Sequence, residues 1–153
     1  MNWPRMLDAL SRIPHDLSIH ILMVVIALAI SIAISIPVGV LLTRPRYKKW
    51  GIVVMNILNV CQSFPGMAII ALAMPILGLG LKPAITALII QALLPIARNT
   101  IAGLNGVDPG IKEAAKGMGM TPKRVLTEVE VPLAMPVILA GIRTSAVLVV
   151  SMG

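Results

Sequence analysis

The sequence predicts an all-α integral membrane protein, a bundle of several spanning helices forming a single domain over residues 1–153. Three observations carry that prediction. Hydrophobic residues make up 58% of the chain and charged residues 12%, with a mean hydropathy of +0.95, whereas a soluble domain carries about 25% charged residues. The stretches 17–43 and 51–81 hold no formally charged residue, and each exceeds the roughly 20 residues that a helix needs to cross the hydrocarbon core. The remaining charges gather between the apolar stretches. A net charge of +7 and a pI near 10.4 would suggest a nucleic-acid partner, but basic residues at the ends of apolar runs follow membrane topology, and so few aromatics leave little to stack bases on. Cys61 lies inside an apolar run, which implies neither a disulfide nor a thiolate metal site.

The first span is read at 20–42. The alternative for an apolar run this near the start is a secretory signal, but the run is too long, lacks a small-x-small cleavage site and follows both acidic and basic residues. Before it, Trp3, Leu7, Leu10 and Ile13 recur at near-helical spacing among Arg5, Asp8, Arg12 and Asp16, the pattern of a short helix lying in the interface. The stretch 51–81 is longer than one span requires, with Pro65 and Gly66 near its middle. One long helix kinked at Pro65 is the first reading. Two shorter segments broken there are the alternative, because proline removes a donor and drives the residue before it out of helical geometry. Gly78-Leu79-Gly80-Leu81-Lys82-Pro83 reads as a turn, with Pro83 opening a third span over 83–104 that contains Pro95. The fourth span, 133–153, starts between Pro132 and Pro136.

Orientation follows from the excess of Lys and Arg in short cytoplasmic loops. Arg44, Arg46, Lys48 and Lys49 place the first loop inside. Alternate crossings then put the 78–82 turn outside and the 105–131 loop inside, where Lys112, Lys116, Lys123 and Arg124 agree. The N-terminus falls outside, with Arg5 and Arg12 as a mild dissent.

The 105–131 loop carries its own punctuation. Asp108 before Pro109 is an N-cap followed by a proline at the first helical position, Gly117 or Gly119 can supply a left-handed stop, and Thr121 before Pro122 repeats the start signal. Two short helices are expected, 109–118 and 122–129, with Gly119 as the elbow. An amphipathic helix lying on lipid headgroups is the plain reading of such a segment.

The same loop contains Glu113-Ala114-Ala115, Gly119 four positions on, and Val129-Glu130-Val131-Pro132. It resembles the E-A-A-x-x-x-G-x(9)-I-x-L-P loop of the permease subunits of bacterial ABC importers. The resemblance implies that Glu113, Ala114, Ala115, Gly119, Lys123, Arg124, Val129 and Pro132 dock a cytoplasmic ATP-binding subunit, with Ala114 and Ala115 permitting close approach, Met118 and Met120 offering adaptable apolar contact, and Lys123, Arg124 and Glu128 setting a polar rim. Val131 departs from the pattern's leucine. Gln62-Ser63-Phe64-Pro65-Gly66, Leu94-Pro95-Ile96-Ala97-Arg98-Asn99-Thr100, the 113–121 segment and Ala140-Gly141-Ile142-Arg143-Thr144 are similar to stretches of the permeases that import osmoprotectants such as glycine betaine, choline, carnitine or proline betaine. The resemblance implies a multi-pass bacterial inner-membrane subunit with cytoplasmic coupling helices, a second permease copy, identical or related, and an extracytoplasmic solute-binding protein. Such permeases continue beyond the position of Gly153 with a glycine-rich turn and at least one more span, so truncation before the last span is expected.

Asn56, Asn59 and Ser63 fall on one helical face, with Gln62 and Gly66 beside it. They are candidates to line a solute path, or to hydrogen-bond between helices. Arg98 and Arg143, near span ends, either snorkel to the interface or hold the loop. No nucleophile elbow, phosphate-cradling glycine loop or paired-histidine zinc motif is present, so no catalytic residue, metal site or cofactor is expected. His15 and His20 read as interfacial. Rival readings are an amino-acid importer permease, and a small channel or scaffold whose basic loop merely touches lipid.

The topology makes a direct prediction. With cysteines placed one at a time in a Cys61→Ala background, an impermeant thiol reagent added to intact cells should label position 82 and spare positions 48 and 123. Labelling of position 123 from outside would overturn the orientation.

Overall fold

The structure, a computed structural model, describes residues 3–152, with side chains from Arg12 onward except at Lys48. Helix α1 runs from Trp3–Leu42, 40 residues without a break. The interfacial helix and the first span are therefore one helix. Pro14 removes one backbone donor, but no glycine or asparagine follows it to reverse the chain, and Ser18 Oγ bonds back to the His15 carbonyl at 2.7 Å. Helix α1 ends where Thr43 caps it, Oγ1 donating to the Val40 carbonyl at 2.7 Å.

The 51–81 stretch is two helices, α2 (Lys48–Ser63) and α3 (Gly66–Leu77), set 98° apart. The single kinked helix is the reading that fails here; the broken pair describes the chain. Phe64, before Pro65, is extended at φ −78° and ψ 134°, where the proline ring drives it. Its exposed carbonyl is met by Gln91 Nε2 at 3.0 Å from α4.

Helix α4 (Leu81–Asn105) is the centre of the molecule and touches α1, α2, α3 and the last helix, α7 (Val131–Met152). Small residues let its neighbours close in. Gly39 of α1 sits against Thr100, and Gly103 of α4 against Ala134 of α7. At Gly141 of α7 an added Cβ would lie 2.6 Å from the Asn99 Cβ and 2.9 Å from the Pro95 carbonyl oxygen. Serine hydroxyls add hydrogen bonds across the same seams: Ser31 to the Ile89 carbonyl at 3.3 Å, Ser35 to Leu93 at 3.0 Å and Ser145 to Ala92 at 2.9 Å. Two apolar clusters complete the packing, Val24, Ala27, Leu88, Ala92 and Val149 towards one end and Leu104, Val107, Ala134 and Ile138 towards the other. The large apolar side chains of α1 and α7, such as Leu22, Val25, Leu139 and Val147, point outward, as expected when lipid replaces water as the solvent.

After α5 (Pro109–Gly117), the helices α6 (Pro122–Arg124) and α7 (Val131–Met152) are joined by a π turn over Val125–Glu130 into one unbroken helix, Pro122–Met152. The second short helix therefore does not stop at Val129, and the fourth span has no start of its own. Pro132 cannot donate to the carbonyl four residues back and crowds it. The wide turn relieves that clash: the Val131 amide bonds to the Leu126 carbonyl, five residues earlier. Among the described residues three helices, Arg12–Leu42, Leu81–Asn105 and Pro122–Met152, are long and apolar enough to cross a membrane, or four if the bent α2/α3 pair counts as one.

The close seams predict opposite outcomes for two glycines. Gly141→Ala overpacks the α4/α7 contact and should cost about 1–3 kcal/mol. Gly117→Ala, in a helix with nothing within 4 Å of the new Cβ, should gain up to about 1 kcal/mol. Thermal unfolding in detergent reads both, and an unchanged midpoint for Gly141→Ala would contradict the packing.

Candidate functional site

The 105–131 loop is built by its caps. Asp108 Oδ1 accepts from the Gly110 amide at 2.6 Å, with Pro109 at the first helical position, so α5 starts where the sequence signals it. Lys112 Nζ donates to the Leu104 carbonyl at 3.0 Å, fastening α5 to the end of α4. At the other end the Gly119 amide bonds to the Lys116 carbonyl at 2.9 Å and the Met120 amide to the Ala115 carbonyl at 3.2 Å, while Gly119 takes φ +80°. This paired arrangement around a left-handed residue satisfies the last carbonyls of the helix and turns the chain. Thr121 Oγ1 then accepts from the Arg124 amide at 3.4 Å to start the next helix.

The residues singled out in the sequence divide into outward and inward groups. Glu113, Ala114, Lys123, Arg124 and Pro132 are exposed, and Met118 is 76% exposed beside the elbow. Ala115 is buried within the chain, where α5 packs on the π turn that holds the equally buried Val125; its small side chain serves the loop's own packing. Val129 is half-buried. Arg124 and Glu128 form a two-pronged ion pair at 2.9 and 3.0 Å.

One pair in this region escaped the sequence reading. Glu130, whose side chain is 8% exposed, is paired with the guanidinium of Arg44, just past the C-terminal end of α1. The available signal was an acid flanked by Val129 and Val131 at the edge of an apolar run, where a carboxylate needs a cation.

The polar face of α2 is brought against α4. Asn59 Oδ1 accepts from the Arg98 guanidinium at 2.7 Å, and Ser63 Oγ donates to the Asn59 carbonyl at 2.9 Å. Arg98 thus reaches neither the loop nor a headgroup within the chain but a neighbouring helix, while Arg143 is exposed on α7. Asn56, one turn further inward, lines a recess of about 350 Å³ with Leu42, Gly51, Met55, Ile101 and Asn105. Gln62 is half-buried. Among the described residues no group of three or more His, Cys, Asp or Glu side chains could hold a metal ion.

Residues 35–152 match the family of binding-protein-dependent transport system inner membrane components. The chain belongs to that family. Over 128 residues it is 45% identical to the choline transport system permease protein OpuBB of Bacillus subtilis (strain 168), covering 84% of this chain and 58% of that protein. It is 46% identical to the osmoprotectant import permease protein OsmY of Salmonella typhimurium over 81% of this chain and 52% of that one. The chain thus spans somewhat more than half the length of these relatives. The MetNI methionine ABC transporter, in inward-facing conformations, has a similar fold at a TM-score of 0.77 and 27% identity, over 99% of this chain and 74% of that one. The family and these helices make this a multi-pass transport component of a bacterial inner membrane with the ABC importer permease fold.

The elbow is testable through its backbone. A Cβ at Gly119 meets nothing within 4 Å, so the cost of Gly119→Val is the left-handed backbone itself, about 1 kcal/mol or more. In inside-out vesicles that variant should be cut by trypsin at Lys116 and Lys123 faster than the parent, with Gly119→Asn between the two. Equal rates would mean the positive φ carries no strain.

Proposed function

We propose that this chain is the permease subunit of an ATP-driven importer of osmoprotectants such as glycine betaine, choline or carnitine. The observation that carries the reading is the loop after α4, its Glu113-Ala114-Ala115 helix ending in the Gly119 elbow beside the exposed Met118; we place this loop on the cytoplasmic side. A short helix with an apolar tip and a charged rim of Lys123, Arg124 and Glu128 suits a groove on a cytoplasmic ATPase. Hydrolysis belongs to that partner. A second permease copy and an extracytoplasmic solute-binding protein complete the assembly, in keeping with the family's description. The osmoprotectant assignment rests on relatives at 45% and 46% identity named for choline and osmoprotectant transport, against 27% for the methionine system.

In this reading Asn56, Asn59, Gln62 and Ser63 line a transient route for solute, with the recess beside Asn56 as its inner mouth. The crossings in this reading lie within Arg12–Leu42, the bent pair Lys49–Ser63 and Gly66–Leu77, Leu81–Asn105 and Pro122–Met152. Quaternary ammonium groups are gripped by aromatic cages, yet the aromatics of this chain are Trp3, Tyr47, Trp50 and Phe64. Selectivity therefore sits mainly in the separate binding protein.

Three measurements test the proposal. The permease should co-purify with a cognate cytoplasmic ATPase, and the reconstituted complex should hydrolyse ATP faster when solute-loaded binding protein is added. Calorimetry on the permease alone should detect no binding of betaine or choline at micromolar concentration. Failure to retain the ATPase would remove the docking role, and micromolar binding would move selectivity into the membrane.

A further inference from the structure

We infer that Arg44 and Glu130 are a positioning pair for coupling: the pair makes the cytoplasmic end of α1 move with the docking elbow, so that a displacement of α6 reaches α1 and α7 together. The inference rests on the permease reading above.

Three features carry it. Glu130 is the one buried acid among the described residues, and its carboxylate is met by the guanidinium of Arg44. A carboxylate in that position cannot be left without its cation cheaply, whereas an exposed pair such as Arg124 with Glu128 separates with little consequence. The guanidinium is itself held to α1, its Nε donating to the Val40 carbonyl at 3.4 Å, so the strap ends on helix backbone. Finally, α6, the π turn and α7 are continuous. The five-residue spacing of the π turn stacks Val125 above Glu130, and both are buried. α5 packs on the π turn that holds Val125, and Glu130 meets Arg44 beside α1, so a push on the elbow arrives at the ion pair one turn later. A plain helix would bring Val129 under Val125 and turn the acid away from that line.

The motion is measured directly in the permease assembled with its ATPase. Spin labels at Arg46 and Thr127, both exposed, in a Cys61→Ala background should report one narrow distance that is unchanged between the nucleotide-free and ATP-bound states. In Glu130→Gln the same labels should give a broadened distance that shifts with nucleotide. That variant should keep the ATPase attached and its basal hydrolysis, while transport falls about tenfold, the scale of a coupling change of 0.5–2 kcal/mol. The exchange Arg44→Glu with Glu130→Arg should recover most of the transport. A parent distance that changes with nucleotide, undiminished transport by Glu130→Gln, or loss of the ATPase from that variant overturns the inference. A parent that neither holds the ATPase nor transports overturns the permease reading itself.

Discussion

Nearly all the packing between the long helices passes through α4, and what holds α4 is close approach rather than the expulsion of water. In hydrocarbon, burying another leucine gains little, because lipid tails are as apolar as the side chains they replace. The seams are therefore made of Gly39, Ala97, Thr100, Gly103, Ala134 and Gly141, where backbones meet almost directly. Ser31, Ser35 and Ser145 donate to α4 carbonyls in the two turns before Pro95, a stretch whose own ladder the proline interrupts. Each such bond contributes about 1 kcal/mol or less, but together they fix the register of α1 and α7 on α4. The 105–131 loop inherits its position from that register, since α5 hangs from the end of α4 through Lys112 and α6 runs without interruption into α7.

How much of this the sequence discloses depends on how local each cause is. Charge-free runs, the Asp108 and Thr121 caps and the Gly119 stop are decided within a few residues, and the helices begin and turn there. Continuity is less local. Nothing in the 3–16 segment says that it will join the helix after it, and the Pro132 and Pro136 pair looks like a boundary until the π turn absorbs the misfit. The break at Pro65 was visible; the 98° between its two halves was not, because that angle is set by what the second helix packs against. Least legible are the partners that meet only in the fold. Arg44 and Glu130 lie far apart in the chain, Arg98 finds Asn59 rather than the interface, and Ala115 turns inward while Ala114 faces out.

The polar groups around the loop divide by use. Arg46, Lys49, Lys116 and Lys123 remain at the surface. Asp108 caps α5, and the uncharged Thr121 caps α6. Among the described residues Glu130 is the one buried carboxylate, which marks the junction of loop and bundle as the place where a polar contact was kept despite its desolvation cost.

The hydrogen bond from Gln91 to the Phe64 carbonyl has a wider implication. It latches the corner between α2 and α3 onto the most deeply packed helix of the bundle, so the corner behaves as a bracket and not as a joint. Straightening it would break that hydrogen bond and leave the amide of the buried Gln91 without this partner. The end of α2, the start of α3 and the middle of α4 are thereby tied into one wedge.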